Sequence, residues 1–259
     1  MSSISGCVAS NDSRSLSPTT AENTAASQSS TETLAVGETA SIGEGSVTIH
    51  SVQAQRAIEV LDSSGVHTKV VRPSGRQFAV IRGTISDPLS YQQARNNLVL
   101  QLDGEQILIG DYHFSSNRFE GFGFPFAVPL DTQVEQAAIL WKDSETRKAK
   151  WNLSSSFINC LNNPPRFEVQ SFTVPERVAP EEEIPARIAV ANTGKRGGTF
   201  LAKLGVGGMS GLGTVRFFVP NDKSVSHREP VGFGANTDQV RVILDWGSRR
   251  LERTVSIQE

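Results

Sequence analysis

From Leu34 onward, apolar and polar side chains alternate with the two-residue period of β-strands, and no 3.6-residue pattern is sustained anywhere. "GSVTIHSV" sets Val47, Ile49 and Ser51 on one face against Thr48 and His50. "RQFAVIRGTIS" sets Phe78, Val80 and Arg82 against Ala79, Ile81 and Gly83. "NLVLQLDGEQILIG" places Asp103-Gly104 between two apolar runs. This pair is preferred in a two-residue type I′ turn, so residues 98 to 109 are predicted to form a β-hairpin. Further strands are expected at 122 to 128, 135 to 141 and 148 to 153.

"SSSFINCLNNPP" (154 to 165) ends that pattern, and Pro164-Pro165 predicts an extended, semi-rigid spacer between domains. A second set of strands is expected at 166 to 174, 184 to 191, 198 to 204, 214 to 219, 238 to 246 and 250 to 257. Both halves close on a Gln, an apolar strand ending near Trp, a polar turn and a second alternating strand. In the second half Val240, Val242, Leu244 and Trp246 share a face, as do Leu251, Val255 and Ile257. The fold class predicted is all-β, with two tandem sandwich domains at 34–153 and 166–259, joined by a linker at 154–165.

Composition changes the picture mainly before Leu34. Residues 8 to 33 are Ser, Thr, Ala and Asn with almost no large apolar side chain, so they cannot bury enough surface to offset the entropy of ordering them. Together with residues 1 to 7 they read as a Ser/Thr-rich stalk behind a truncated lipoprotein signal remnant. Charge is balanced: 3 acids and 1 base in residues 1–33, 13 and 11 in 34–162, 11 and 13 thereafter. That balance excludes the strongly basic face of a nucleic-acid binder. The 2 cysteines, Cys7 and Cys160, make neither a disulfide framework for two domains nor a Cys-rich zinc site. No apolar run approaches the roughly 20 residues a spanning helix needs, so membrane attachment requires an anchor.

The segments "LAVGETASIGEGSVTIHSVQ", "RQFAVIRGTIS" and "FPFAVPLDTQVEQAAILWKDSETRKAKWNL" resemble the telokin-like, immunoglobulin-type extracellular domains of bacterial and archaeal surface lipoproteins. "FEVQSFTVPERVAPEEEIPARIAVANTGKRGGTF" and "VRVILDWGSRRLERTVSI" resemble the cell-adhesion-related immunoglobulin-like repeat. The resemblance covers nearly everything after Leu34 and implies an archaeal-type surface lipoprotein with two immunoglobulin-like sandwiches. Such motifs encode turns and core positions and carry no chemistry.

Ile4-Ser5-Gly6-Cys7 has the order of a lipoprotein cleavage box, which would make Cys7 the lipid attachment site and leave Cys160 a single thiol. Two acyl chains would hold it nearly permanently at about 0.8 kcal/mol per buried methylene. The positive start and apolar core of a secretory signal do not precede the box. That fits a start set too far downstream, and the competing reading is chance in a Ser-rich tail. Asn11 and Asn152 head N-glycosylation tripeptides, and Asn152 should face solvent if Trp151 and Leu153 face inward. Phe122, Phe124 and Phe126 alternate and are expected in the core; Tyr112, His113, Phe114 and Phe119 are the candidates for an exposed contact loop. "GVGGMSGLG" (205 to 213) and "TGKRGG" depart from the nucleophile-elbow, dinucleotide and phosphate-loop patterns they evoke. His50, His67, His113 and His227 stand singly, without metal spacing.

These residues therefore predict a non-enzymatic, lipid-anchored protein on the extracellular face of the membrane. It would display two sandwiches for binding or adhesion to a protein or glycan, with no cofactor, no metal, no catalytic residue and no nucleic-acid partner. The alternatives are an accessory module of a surface hydrolase and a soluble cytoplasmic protein that starts at Met1.

Overall fold

The computed structural model describes residues 31–112, 121–143, 146–208, 212–234 and 237–258. The first unit contains β1 (Glu32–Ala35), β2 (Thr39–Ile42), β3 (Gly45–Gln55), β4 (Ile58–Leu61), β5 (Thr68–Val71), β6 (Arg76–Ile85), α1 (Tyr91–Asn97), β7 (Leu98–Leu102), β8 (Glu105–Ile107), β9 (Phe122–Pro129), β10 (Ala137–Asp143), β11 (Thr146–Asn152) and α2 (Ser155–Asn162). The second contains β12 (Phe167–Thr173), β13 (Arg177–Val178), β14 (Ile184–Asn192), β15 (Gly198–Val206), β16 (Gly213–Val219), β17 (Lys223–Val231), β18 (Gln239–Asp245) and β19 (Arg250–Ile257).

In the first unit, a five-stranded sheet in the order β1-β11-β10-β7-β8 lies over a four-stranded sheet in the order β2-β3-β6-β9. One core fills the space between them. Leu98, Leu100, Ile139, Trp141 and Trp151 come from the first sheet, and Val47, Ile49, Ile81, Phe124 and Phe126 from the second. The predicted hairpin is present: Leu102 pairs with Glu105 across Asp103 (φ 46°) and Gly104 (φ 92°), both positive as a type I′ turn requires. Asp103 also accepts the backbone N–H groups of Glu135 (3.0 Å) and Gln136 (2.7 Å), which ties the turn to the start of β10.

The alternation in β3 changes phase where the sequence reading carried it straight through. A bulge between Ile49 and Ser51 inserts His50, so Val47 and Ile49 are followed inward by Val52 and Ala54 instead of Ser51. On β6 both faces are buried. Ala79 and Ile81 face the main core, while Phe78 and Val80 pack beneath the β4–β5 hairpin with Ile58 and Val60. A strand covered on both sides need not alternate in polarity, which is why "FAVI" is apolar throughout.

The second unit has a three-stranded sheet, β12-β14-β17, over a five-stranded one, β13-β19-β18-β15-β16. Ile184, Ile188 and Val190 meet Phe200, Leu204, Val242 and Leu244 between them, and Val240, Trp246 and Val255 are buried as the pattern predicted. β17 was not predicted. Its sequence KSVSHREPV turns only Val225, His227, Glu229 and Val231 partly or wholly inward, and its other face is exposed at the sheet edge.

The fold is mostly β, as the pattern predicts, with two short helices among the described residues, and α2 corrects the linker, which was expected to be extended. Ser154 caps α2 by accepting the N–H of Phe157 (3.3 Å), and Phe157, Cys160 and Leu161 at spacings of three and four enter the first core. Buried Gln77 on β6 donates to the Leu161 carbonyl (2.7 Å), fixing the helix from below. Pro164 and Pro165 are buried as well. A Cβ on Gly194 would stand 2.5 Å from the Pro164 carbonyl oxygen, and one on Gly198 would stand 2.6 Å from the Pro165 ring. The junction is therefore docked onto the second unit.

Packing at β6 generates a prediction. A methyl on Gly83 would stand 2.3 Å from the Thr48 carbonyl oxygen and 2.5 Å from the Phe122 ring, whereas nothing lies within 4 Å of one on Gly232. Gly83→Ala is expected to cost roughly 1–3 kcal/mol in denaturant unfolding, and Gly232→Ala less than about 0.5 kcal/mol.

Candidate functional site

Two places bring polar groups together: a cleft on the flank of the first unit and the contact between the units.

The cleft, about 660 Å³, runs between the edge strand β8 and the outer edge of β9 and is lined by Arg76, Glu105, Ile107, Leu108, Tyr112 and Pro129 among others. Leu108 is 69% exposed, unusual for so large an aliphatic side chain. The chain leaving β8 is held back against β9 by an Ile109–Phe126 bridge and by the Gly110 N–H donated to the Pro125 carbonyl (3.1 Å). Arg95 on α1 secures the next step, donating through Nη2 to the Asp111 carboxylate (2.7 Å) and the Gly110 carbonyl (3.4 Å). Tyr112 then folds its ring over Gly110, where a Cβ would stand 2.7 Å from it, and meets Phe78 edge-on at 5.2 Å. Tyr112, expected in an exposed loop, is thus half-buried, with its ring fixed in the cleft wall. His113, Phe114 and Phe119 lie outside the described residues, as do Cys7 and Asn11.

Elsewhere the sequence candidates remain dispersed. Phe122, Phe124 and Phe126 are buried in the core, the first two stacked at 4.9 Å. Asn152 is exposed between buried Trp151 and Leu153. His50 Nε2 lies 3.0 Å from Thr84 Oγ1, while His227 stacks on Phe217 at 4.6 Å and reaches Glu229 at 2.9 Å. Among the described residues no three His, Cys, Asp or Glu side chains are grouped to hold a metal ion. Cys160, 2% exposed, is disulfide-bonded, whereas the sequence reading left it a single thiol; the sulfur it joins lies outside the described residues.

The contact between the units was not anticipated. It is built by the β4–β5 hairpin, whose inner side covers Phe78 and Val80 and whose outer side meets β15 and β16. Glu59 on β4 is the hub. Its Oε1 accepts from Lys203 Nζ (2.7 Å), Thr68 Oγ1 (2.6 Å) and Thr214 Oγ1 (2.7 Å), and its Oε2 from Arg216 Nη2 (3.1 Å). Lys203 also donates to Thr68 (2.6 Å) and Thr214 (2.8 Å). The Glu59 and Lys203 side chains are 10% and 6% exposed. Burial alone would raise the Glu59 pKa, but hydrogen bonds from Lys203, Thr68 and Thr214, with the Lys203 charge, outweigh it and bring it down to about 2. Alongside, Gly247 (φ 86°) lets the β18–β19 turn approach β5 so closely that a Cβ would stand 2.6 Å from the Val70 carbonyl oxygen. No local motif marks Glu59, since a single carboxylate in a four-residue strand ordinarily faces water.

No family model matches the chain, and no curated protein matches it.

Because the folded pKa of Glu59 lies below its ordinary 4.5, at about 2, its stabilisation is complete above about pH 4.5 and is lost as pH falls toward 2. Acid titration of wild-type unfolding should show a loss on the order of 3 kcal/mol across that window. Glu59→Gln should be less stable at neutral pH and show a flatter acid limb.

Proposed function

We propose that the chain is a non-enzymatic cell-surface protein whose sandwiches are immunoglobulin-like display domains. It binds a glycan in the cleft beside Tyr112. What carries this reading is the construction of that cleft. An aromatic ring immobilised by Gly110 and Phe78 stands beside the exposed aliphatic side chain of Leu108. Arg76, Glu105 and Gln106 supply donors and acceptors around them. A flat apolar face with polar groups at its rim suits the C–H face and hydroxyl edges of a sugar. The junction centred on Glu59 supports the display role, because the second unit is tied to the first by charge-assisted hydrogen bonds rather than by a free linker.

A cysteine alkylated by lipid cannot at the same time form a disulfide, and Cys7 and Cys160 are the only 2 cysteines. The bonded state of Cys160 therefore weighs against the anchor, and the mass of the mature protein decides. Detergent-extracted protein heavier by a diacyl or dialkyl glycerol group at Cys7 supports the anchor; a disulfide-linked peptide pair containing Cys7 and Cys160 removes it. For the cleft, binding to a panel of surface glycans should fall about tenfold in Tyr112→Ala, the loss of one aromatic contact of roughly 1–1.5 kcal/mol. Equal binding by Tyr112→Ala and Leu108→Ser, both folded, would rule the cleft out.

A further inference from the structure

The outer face of the three-stranded sheet in the second unit carries a like-charged pair. β14 pairs with β17 so that Arg187 stands directly across from Arg228, with Thr173 of β12 on its other flank. Both arginines are exposed, and among the described residues neither side chain meets a carboxylate or any other acceptor. Like charges placed directly opposite each other on a sheet destabilise it. Glu229, the acid next to Arg228 on β17, turns to the other side of the strand and takes His227 at 2.9 Å. The next outward row along the sheet is Ser171, Ala189 and Ser226, so both guanidinium groups rise from a surface of small side chains.

The opposite charge lies at the same end of this sheet. Glu181, Glu182 and Glu183 are the exposed residues that lead into β14. Glu182 closes its own turn, its carboxylate accepting the Ala179 N–H (3.5 Å). Glu181 and Glu183 have no partner among the described residues. Glu183 precedes Arg187 by four positions, about 13 Å along an extended strand, and the two do not pair. Acids and bases are thus set apart along one strand, each without a counter-ion in its own chain.

We propose that the outer face of β12-β14-β17 binds a second copy of this chain, with Arg187 and Arg228 of each copy receiving the Glu181 and Glu183 carboxylates of the other. A twofold contact requires a patch complementary to itself, in which residue i meets j and j meets i. Bases and acids displaced along one strand meet that requirement, because a half-turn lays each copy's arginines on the other's glutamates. The planar guanidinium fork matches a carboxylate in two parallel hydrogen bonds. The partner's acids also relieve the opposition of Arg187 and Arg228, which in a single chain is only a cost. Among the described residues this face presents no aromatic ring, so it lacks the stacking platform that would favour a glycan there. The contact is independent of the cleft beside Tyr112, which lies on the other unit.

The test is sedimentation velocity of the full chain over a range of concentrations at low and high ionic strength. Wild type should form a dimer at low salt that dissociates as salt screens the pairs. Arg187→Glu combined with Arg228→Glu should weaken self-association about tenfold, and so should Glu181→Arg combined with Glu183→Arg. An equal mixture of these two double variants should recover the dimer, since every contact then joins opposite charges again. Arg228→Glu alone should raise the thermal midpoint by setting a carboxylate across from Arg187, while still weakening the dimer, which separates lost contact from lost folding. A wild type that stays monomeric at low salt, a dimer that both double variants keep, or a mixture no more associated than its parts would each overturn the proposal. So would a monomeric wild type that is retained on an anionic polysaccharide through Arg187 and Arg228.

Discussion

The carboxylate of Glu59 is where the two sandwiches become one object. A charge that is 10% exposed survives only if it is surrounded by donors, and here these come from both units: Thr68 from its own hairpin, Lys203, Thr214 and Arg216 from the second sandwich. Neither unit alone satisfies the group. Separating them would take Lys203, Thr214 and Arg216 from Glu59, and Glu59 and Thr68 from Lys203, so the burial of each charge depends on the presence of the other. The hairpin that carries Glu59 also caps Phe78 and Val80, which couples the junction to the first unit's packing.

Sandwich packing explains why the junction takes this form. Two closed cores turn the apolar sheet faces inward, and the surfaces that remain for joining one unit to the next are mainly strand edges, turns and the outer sides of sheets. The β4–β5 hairpin solves this by standing apart from both main sheets of the first unit, apolar towards β6 and polar towards β15. At its other end Arg72 uses aromatic faces in place of a carboxylate.

Strand elements with an apolar face on one side were legible in the residues. The Asp103-Gly104 hairpin, the buried Phe122-Phe124-Phe126 face and the closing strands of the second unit each follow from local chemistry that tertiary context leaves intact. Three features were not legible. β17 is an edge strand with polar residues on both faces, so it lacks the contrast that marks a strand. α2 spans only two turns, too few for a helical period to stand out, and its apolar residues sit among serines and asparagines. Glu59 and Arg72 are far in sequence from Lys203, and each sits in a strand or at its end where a charged residue ordinarily meets solvent. Their meaning is created by the docking itself.

The helix between the sandwiches bears on how modular the protein is. Phe157 and Leu161 belong to the first core, while the prolines that follow belong to the surface of the second, against Gly194 and Gly198. Only Asn162 and Asn163 lie between Leu161 and Pro164. Exchanging either sandwich for another at this seam would expose a helix face or a proline pocket.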